Sequence, residues 1–464
     1  MSRLSMNKKF EQLRKSYPVF TFEDLSWDLK DDFLTLRFHF HLDNQIHFYP
    51  EHTIDLKGFS DVEFDDEMMK NLVFHLGMAE LISYWKATCS PVVHIKTFRM
   101  NSIQANWWKK LYYHGLGEFF YLNQIETSLN EFMSFTYDKW ARTFPMPFSL
   151  NLKDDFIIPV GGGKDSVVTL STLGAISDGN YALVVNQREA TRECIKIAGL
   201  QNRVLEVKRT IDPTLLELNE KGFLNGHTPF SSLLAFVSLL ASVITGNRHI
   251  ALSNESSANE ATIPGTNINH QYSKSYEFEQ DFRWYTARFI SADINYFSFL
   301  RPLNELQIAA LFSKNPEYFT AFKSCNVGSK TDTWCCNCSK CLFTYIMLSP
   351  FLEKSVMKQI FHEDLFEKES LKPVLEQLTG VAKEKPFECV GTINEVNSAL
   401  EYLCKTYAEN EFPALLEHFK KITAGISFTP LKKELEYWNV FHCLNADMEK
   451  LLEDRLKLIQ QQII

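Results

Sequence analysis

A glycine-rich segment, residues 161–166 with the sequence GGGKDS, offers the most specific chemistry in this chain. Glycines let the backbone turn sharply and let a ligand come close to its amides. The apolar run 156–160 predicts a buried strand before the segment, and a helix is predicted from Asp165 onward. The free N–H groups and dipole at a helix start favour an anion such as phosphate. We therefore expect an anion-binding site, with an ordinary glycine-rich strand-to-helix turn as the alternative, and its candidate residues are Val160, Gly161, Gly162, Gly163, Lys164, Asp165 and Ser166.

A polar segment after another apolar run is the next candidate for chemistry. Residues 254–260 read NESSANE and follow the apolar run 249–253, which predicts a second buried strand. Ligands of an open parallel sheet bind beyond the carboxyl ends of its strands, so both segments should share one edge. These side chains can bind magnesium, hold substrate or move protons; an ordinary surface loop is the alternative. We expect Glu255 and Glu260 to be catalytic, and Asn254 and Asn259 to contact substrate.

Three further side chains are candidates because of their type and position. His227 precedes a buried apolar helix predicted over residues 229–245, where it can act as a base, contact phosphate or serve only the structure. Arg283 and Arg301 can each hold a carboxylate through two parallel hydrogen bonds, and a structural ion pair is the alternative for either one. We keep His227 as a candidate catalytic residue and both arginines as candidate substrate ligands.

Four cysteines have the spacing of a metal site. Cys325, Cys335, Cys338 and Cys341 form the pattern C-x9-C-x2-C-x2-C, and Cys336 is an additional neighbour. Thiolates two residues apart can wrap one tetrahedral zinc ion, and four of them leave no open coordination position. Buried free thiols and an iron–sulfur cluster are the alternatives. We predict a structural zinc ion that fastens the end of the central region.

The order of predicted elements places these residues in a three-part α/β chain. Residues 1–150 combine alternating strands with amphipathic helices, which indicates an α+β domain. Residues 151–350 alternate apolar strands with helices, which is typical of a parallel sheet with crossover helices. Residues 351–464 are charge-rich and mostly helical, as expected of a helical region packed on the central domain. Every candidate residue falls in the second part.

Composition narrows the class of protein. The 464 residues are 45% hydrophobic, enough for sizeable cores, and the formal net charge is −9. A duplex-binding protein normally has a basic face, so we expect no nucleic-acid partner. The N-terminal residues lack the apolar core of a signal peptide, and the serine-interrupted run 229–244 is too short to span a bilayer. We expect a cytoplasmic protein with no membrane partner, whose cysteines bind metal or stay as free thiols.

The glycine-rich segment resembles the SGGxDS loop of the PP-loop ATP pyrophosphatases, which cleave ATP between the α and β phosphates. Its spacing differs from a Walker A loop and from a G-x-G-x-x-G dinucleotide fingerprint. Gly161 stands where that family usually has serine, so one hydroxyl contact to pyrophosphate is missing. The resemblance implies ATP and Mg²⁺ as cofactors, with Asp165 holding the metal or orienting the loop. By position it also implies that Asn186, after the second strand, lies near the adenine.

A larger set of features resembles the MurL family of UDP-N-acetyl-α-D-muramoyl-L-alanyl-L-glutamate epimerases. These features are the chain length, GGGKDS, NESSANE and the run WCCNCSKCLF, and the specific matches lie between residues 157 and 345. The resemblance implies that ATP activates the terminal L-Glu of UDP-MurNAc-L-Ala-L-Glu as an acyl-adenylate. Pyrophosphate leaves in that step, a base then inverts Cα, and hydrolysis of the acyl-adenylate releases AMP and the D-Glu product in peptidoglycan precursor synthesis. Candidates for the base are Glu255, Glu260, His227 and Cys336.

Two other functions stay open on the sequence alone. A PP-loop enzyme that modifies a nucleobase or tRNA, such as 7-cyano-7-deazaguanine synthase, has a similar cysteine knuckle, although a tRNA enzyme should be more basic. A non-catalytic protein that binds a nucleotide through the same loop would fit the missing serine at Gly161. Pyrophosphate release and its dependence on the second substrate separate the three functions.

Overall fold

One continuous mixed sheet organises the chain. The computed structural model describes residues 3–463 except 44, 60, 61, 63, 145, 146, 175, 264–268, 271 and 409–411. The strands in this part of the chain are β1 (Val19–Lys30), β2 (Phe33–Leu42), β3 (Ile46–Phe48), β4 (Glu51–Asp55), β5 (Val92–Ile95), β6 (Ser134–Tyr137), β7 (Lys153–Pro159), β8 (Tyr181–Val185), β9 (Val204–Thr210), β10 (Asn247–Leu252) and β11 (Asn295–Ser298).

Helices surround this sheet and make up most of the C-terminal region. The α-helices of the described residues are α1 (Arg3–Ser16), α2 (Asp66–Trp85), α3 (Ser102–Gly115), α4 (Gly117–Leu122), α5 (Lys164–Leu173), α6 (Glu189–Ile197), α7 (Pro213–Glu220), α8 (Phe230–Thr245), α9 (Tyr276–Phe289), α10 (Glu305–Phe312), α11 (Ser339–Leu348), α12 (Lys354–Phe361), α13 (Lys372–Leu378), α14 (Ile393–Thr406), α15 (Ala414–Ile422), α16 (Leu431–Leu435) and α17 (Ala446–Ile463).

The sheet has a parallel half and a mixed half. The parallel half has the strand order β11, β10, β7, β8, β9. β9 then pairs antiparallel with β4, and the order continues through β2, β1, β5 and β6, with β3 beside β2. This arrangement confirms the predicted α/β class, with its parallel central sheet and helical C-terminal region. The boundaries predicted at residues 150 and 350 stay predictions, and the sheet itself runs on from the first region into the second.

Helices cover both faces of the parallel half because successive strand residues point to opposite sides. Ile157 and Leu183 pack into one core together with α2, α3, α8 and α9. Their neighbours Ile158 and Val184 pack into a second core with α5, α10, α11 and the C-terminal helices. The C-terminal region therefore packs directly against the sheet that carries the glycine-rich segment.

The predicted strands of the central region are confirmed. The runs 156–160 and 249–253 correspond to β7 and β10. The apolar helix is α8, and Gly246 ends it in the left-handed conformation at φ 71°. The sequence analysis missed β11, a strand of four residues, because so short a run shows neither clear alternation nor a long apolar stretch.

The apolar helix α8 lies inside the protein. It packs on α2 and on the sheet, and its buried serines donate to backbone carbonyls. The Ser238 hydroxyl donates to Leu234 O at 2.7 Å, and the Ser242 hydroxyl donates to Asn247 O at 2.5 Å. Within the described ranges, no helix combines the length and the apolar character needed to cross a bilayer.

A buried ion pair fastens the junction between the two halves of the sheet. Arg209 of β9 donates to both carboxylate oxygens of Glu80 on α2, at 2.8 and 2.7 Å. His52 of β4 lies 3.1 Å from the same carboxylate. Burial would raise the pKa of Glu80, but the charge of Arg209 and the contact with His52 lower it to about 2. The carboxylate is therefore ionised across the ordinary pH range.

We expect Glu80→Gln to destabilise the chain by about 3–5 kcal/mol, because it leaves the Arg209 charge buried without its partner. The matched control is Glu51→Gln on β4, whose carboxylate pairs at the surface with Arg37 and should contribute less than about 1 kcal/mol. Chemical unfolding of both variants measures the difference. Equal midpoints for the two variants would contradict the prediction.

The ion pair of Glu80 and Arg209 also predicts that the stability of the chain depends on pH. The pKa of Glu80 is about 2 in the folded chain, and its ordinary value is 4.5. Its contribution to the free energy of unfolding is therefore complete above about pH 4.5 and is lost as the pH falls toward 2. The wild-type unfolding midpoint should therefore fall more steeply below about 4.5 than that of Glu80→Gln. Parallel slopes for the two proteins would show that Glu80 titrates normally in the folded chain.

Candidate active site

The glycine-rich segment forms a tight turn between β7 and α5. Gly162 has a left-handed φ of 80°, and a β-carbon on it would lie 3.1 Å from the backbone nitrogen of Thr191. Its carbonyl accepts from Lys323 N at 2.8 Å. Gly163 caps α5 without any side chain, so nothing of its own covers the N–H groups of the first turn. The backbone therefore has the form that an anion site at a helix start requires.

A cavity of about 270 Å³ opens beside this turn. The glycine-rich segment contributes Gly161, Gly163, Asp165 and Ser166 to its lining. Four cationic side chains from other parts of the chain also line it: Arg188, Lys274, Lys323 and Lys340. Arg188 donates to Gly161 O at 3.0 Å and so holds one side of the turn. A cavity with these donors suits a ligand that carries several negative charges.

Three carboxylates come together behind the turn. Oxygen atoms of Asp165, Glu255 and Glu305 all lie within 4.8 Å of one another. Lys164 is buried among them and donates to Asp165 and Glu305. Burial and the neighbouring carboxylates raise the pKa of Glu305 to about 8 against the opposing charge of Lys164. At neutral pH Glu305 is therefore largely protonated, and a divalent cation bound by these oxygens would favour its ionised form.

The electrostatics of Lys164 and Asp165 follow from the same packing. Burial alone would lower the pKa of Lys164, but the carboxylates of Asp165 and Glu305 raise it well above its ordinary value. Burial would likewise raise the pKa of Asp165, and the lysine charge lowers it instead. Both residues are therefore charged at neutral pH.

The four predicted cysteine ligands converge on one point. Sγ of Cys338 lies 3.9 Å from Sγ of Cys325 and 3.5 Å from Sγ of Cys341, which in turn lies 3.8 Å from Sγ of Cys335. Zinc–sulfur bonds of about 2.3 Å in a tetrahedron place sulfurs about 3.8 Å apart. Cys336 points away, and its thiol donates to Phe361 O at 3.3 Å. The geometry thus separates Cys336 from the other four.

The cysteine cluster adjoins the glycine turn. Cys325 belongs to both the cluster and the cavity lining. A β-carbon on Gly163 would lie 2.9 Å from Oγ of Ser324, so the two segments are in close contact. Asp332, between the first two cysteines, accepts from the N–H groups of Glu189 and Ala190 at the start of α6. The cluster therefore supports the wall of the cavity.

The NESSANE residues divide between the cavity and its surroundings. Asn254 lines the cavity, and its amide donates to Ser298 Oγ at 3.1 Å. Glu255 is one of the three carboxylates that cluster behind the turn. Glu260 is paired with Lys385 of the C-terminal region. Asn259 is exposed and accepts from Tyr276 N at 2.8 Å, so its observed contact is with α9.

The remaining candidates lie around the cavity and have structural contacts. Asn186, at φ 53°, exchanges two hydrogen bonds with the backbone of Arg209 and is absent from the described cavity lining. Arg283 donates to Asn295 Oδ1 and Tyr296 O on β11. Arg301 is fully buried, pairs with Glu279 at 3.1 Å and donates to Glu255 O at 2.7 Å. Their predicted ligand roles stay predictions, and Arg301 orients the segment that carries Glu255.

His227 belongs to a separate acid–base cluster. Its ring lies 4.3 Å from the ring of His270, and its Nδ1 lies 3.8 Å from Glu118. Burial and the neighbouring His270 lower the pKa of His227 to about 4, so the ring is neutral at pH 7. The cluster joins the N-terminal region, through Glu118 of α4, to the segments on either side of α8.

Six residues at the site were not predicted from the sequence: Glu305, Arg188, Lys274, Lys323, Lys340 and Cys389. Glu305 follows β11 and begins α10 behind an Asn304 capping box, so recognition of β11 would have placed it at the sheet edge. Lys274, Lys340 and Cys389 line the cavity from three distant segments. No local pattern marks Cys389, because only the packing of the C-terminal region brings it to the cavity.

Comparisons with known proteins agree with this geometry. The family model of the MurL N-terminal domain matches residues 11–299, and that of the MurL C-terminal domain matches residues 321–428. Both the glycine turn and the cysteine cluster lie within these ranges.

Three relatives share the name UDP-N-acetyl-alpha-D-muramoyl-L-alanyl-L-glutamate epimerase. The protein of Xanthomonas oryzae pv. oryzae is 34% identical over 346 residues, which cover 73% of this chain and 75% of the relative. The protein of Salinispora tropica is 36% identical over 250 residues (53% and 54%), and that of a Micromonospora species is 32% identical over 331 residues (70% and 72%). With two family models and these relatives matched along most of its length, the chain belongs to the MurL family.

Proposed function

We propose that this chain is an ATP-dependent epimerase. Its reaction inverts the terminal L-Glu of UDP-MurNAc-L-Ala-L-Glu to D-Glu and releases AMP and pyrophosphate, in peptidoglycan precursor synthesis. The substrate and the inversion follow from the names of the relatives. The proposal that the enzyme uses ATP is supported by the glycine turn at the start of α5, which faces a cavity lined by four cationic side chains.

The cavity fits the phosphates of ATP. The turn supplies N–H groups that its own side chains leave open, and the Ser166 hydroxyl is held by Gly163 O at 2.9 Å. Lys274, Lys323 and Lys340 reach the lining from outside the turn, where they can offset the charge of pyrophosphate as it leaves. Donors from several segments also fix the direction of the phosphate chain.

The three carboxylates fit a magnesium ion. Magnesium prefers oxygen ligands, and it is usually bound by one or two carboxylates together with substrate phosphates. Asp165 lies both in this group and in the cavity lining, so it is the carboxylate best placed to reach such an ion and the phosphates together. When bound, the metal offsets phosphate charge during adenylation.

Adenylation explains why an epimerase would consume ATP. Removal of the Cα proton beside a free carboxylate would place a second negative charge next to the first. In the acyl-adenylate that carboxylate becomes a mixed anhydride, whose carbonyl accepts the electron pair as an enolate. A side-chain base can then take the proton, and reprotonation on the other face gives the D configuration. Hydrolysis of the anhydride releases AMP and makes the sequence irreversible.

A second, larger cavity fits the rest of a nucleotide-sugar peptide. It measures about 770 Å³ and is lined by aromatic residues of α3 and α4, including Tyr113 and Tyr121, together with Lys383. The segment 383–389 connects it with the first cavity, since Lys383 lines the larger one and Cys389 the smaller. Aromatic faces and a lysine suit a uracil ring and a diphosphate. We propose that an extended substrate occupies both cavities, because the segment 383–389 borders on each of them.

The test of this function is pyrophosphate release from ATP and Mg²⁺, with and without UDP-MurNAc-L-Ala-L-Glu, followed by chiral analysis of glutamate after acid hydrolysis. We expect pyrophosphate only when the substrate is present, and D-Glu formed with it. Release with a deazaguanine carboxylate or tRNA instead would indicate a nucleobase-modifying enzyme. ATP binding without any release would indicate a nucleotide-binding protein.

The cluster of three carboxylates predicts that a variant lacking one of them needs more Mg²⁺. Glu305→Gln removes one charged oxygen ligand while keeping the side-chain volume, so the Mg²⁺ concentration for half-maximal pyrophosphate release should rise at least about tenfold. The control is Asp364→Asn, a buried carboxylate outside this group that pairs with Lys354 at 3.0 Å. Its Mg²⁺ requirement should match wild type. An unchanged requirement in Glu305→Gln would remove Glu305 from the metal site.

We also propose that the cysteine cluster binds a structural zinc ion, because its sulfur separations fit one tetrahedral ion. Purified protein should contain a single zinc ion per chain by elemental analysis, and Cys338→Ser should lose it and unfold at a lower temperature. Cys336→Ser is the matched control, since its thiol is adjacent in sequence but bonds to Phe361 O, and it should keep the ion. Iron and sulfide in place of zinc would overturn the assignment.

A further inference from the structure

Cys389 carries the thiol of a charged cluster inside the candidate active site. It is half-buried and lines the same cavity as the glycine turn. Nζ of Lys274 lies 3.0 Å from its Sγ, and the His270 side chain also interacts with it. Lys340 donates to the Cys389 carbonyl and so fixes the backbone at this point. The C-terminal region thus brings a nucleophilic atom to the edge where the cofactor loop lies.

The surroundings of this thiol favour its ionised form. Burial would raise the pKa of Cys389, but the charges of Lys274, His270 and Lys340 lower it to about 6. His270 in turn is paired with Glu118. Although burial opposes it, contacts with Cys389 and Glu118 raise the pKa of His270 to about 9. At neutral pH the cluster therefore holds a thiolate between two cations.

Each candidate base predicted from the sequence has another partner in the structure. Glu255 belongs to the carboxylate group, and Glu260 is paired with Lys385. His227 is packed against His270 and is absent from the described cavity lining, and Cys336 bonds to Phe361 O. Among these residues and Cys389, the thiolate alone combines an ionised basic atom with a place in the described cavity lining.

We propose that Cys389 is the catalytic base that removes the Cα proton of the activated glutamyl residue, an inference that rests on the proposed function. The Cα–H bond breaks, an S–H bond forms, and the electron pair moves into the carbonyl of the mixed anhydride as an enolate. A new Cα–H bond then forms on the opposite face with a proton that comes from solvent. The Cys389 thiol returns its own proton to solvent, so the thiolate is regenerated.

The role of Lys274 follows from its position. Its ammonium group contacts Sγ and stabilises the thiolate before proton transfer. In proton removal it acts through the sulfur and is a positioning residue, and its proposed contact with pyrophosphate belongs to the earlier adenylation step.

The experiment measures two steps in one reaction run in D₂O: pyrophosphate release reports adenylation, and deuterium at Cα of glutamate reports proton removal. Cys389→Ser keeps the size of the side chain and removes the thiolate. It should release pyrophosphate within about threefold of wild type, while Cα deuterium and D-Glu fall by about 10²-fold or more. Cys404→Ser is the matched control, since that thiol is also half-buried but points to Leu416 O on the helical side, and it should exchange like wild type.

The outcomes separate the two proposals. No pyrophosphate and no D-Glu with wild-type enzyme would sink the proposed function itself. Normal pyrophosphate with normal Cα exchange in Cys389→Ser would overturn the role of Cys389 and leave the epimerase standing. Loss of pyrophosphate release in a variant that unfolds at the wild-type temperature would assign the thiol to adenylation and also overturn the proposal. If Cys389→Ser unfolds at a lower temperature than wild type, the test uses wild-type enzyme alkylated with iodoacetamide, with the modification mapped to Cys389. We expect the alkylated enzyme to release pyrophosphate but to lose Cα exchange. Retained Cα exchange would overturn the role of Cys389.

Discussion

The antiparallel pairing of β4 with β9 is the contact on which the architecture depends. β9 would otherwise be an open edge of the parallel half, with unpaired backbone groups. Glu80 and Arg209 lock this junction from one face of the sheet, and His52 completes the group from β4. The N-terminal region also carries α4, whose Glu118 reaches the cluster around His270. The N-terminal region is thereby part of the site as well as part of the sheet.

Cationic and anionic side chains are grouped in different parts of the candidate site. The cationic side chains face the cavity where phosphates would lie, and the carboxylates are gathered behind the glycine turn around Lys164. The cluster around Cys389 adds a basic atom supplied by the C-terminal region. In the proposed reaction adenylation uses the first two groups, which come from the central region, and proton removal uses the thiol that the C-terminal region supplies.

Local sequence patterns predicted those features that local physics controls. A run of glycines between an apolar strand and a helix indicates a turn because only glycine fits φ 80° at Gly162. The cysteine spacing likewise indicated the four converging sulfurs and left only the position of Cys336 open. Alternation of strands and helices was enough for the class of fold, although it could not reveal that β4 extends the parallel half.

Residues brought together only by tertiary packing escaped the sequence analysis. Cys389 and Lys274 lie in segments with no recognisable pattern, and their meaning depends on a contact of 3.0 Å across the fold. Arg301 was chosen by residue type alone, which did not reveal its full burial or its pairing with Glu279, and its predicted substrate role stays a prediction. Burial and partner identity, which decide such roles, are not encoded in spacing.

The three glycines of the turn differ in what they would tolerate. A β-carbon on Gly161 meets no heavy atom of the described residues within 4 Å, whereas Gly162 needs its left-handed backbone and Gly163 faces Ser324. The first position can therefore accept a serine without a steric barrier, although this chain has none there. The difference at this position concerns the chemistry of phosphate contact rather than the shape of the turn.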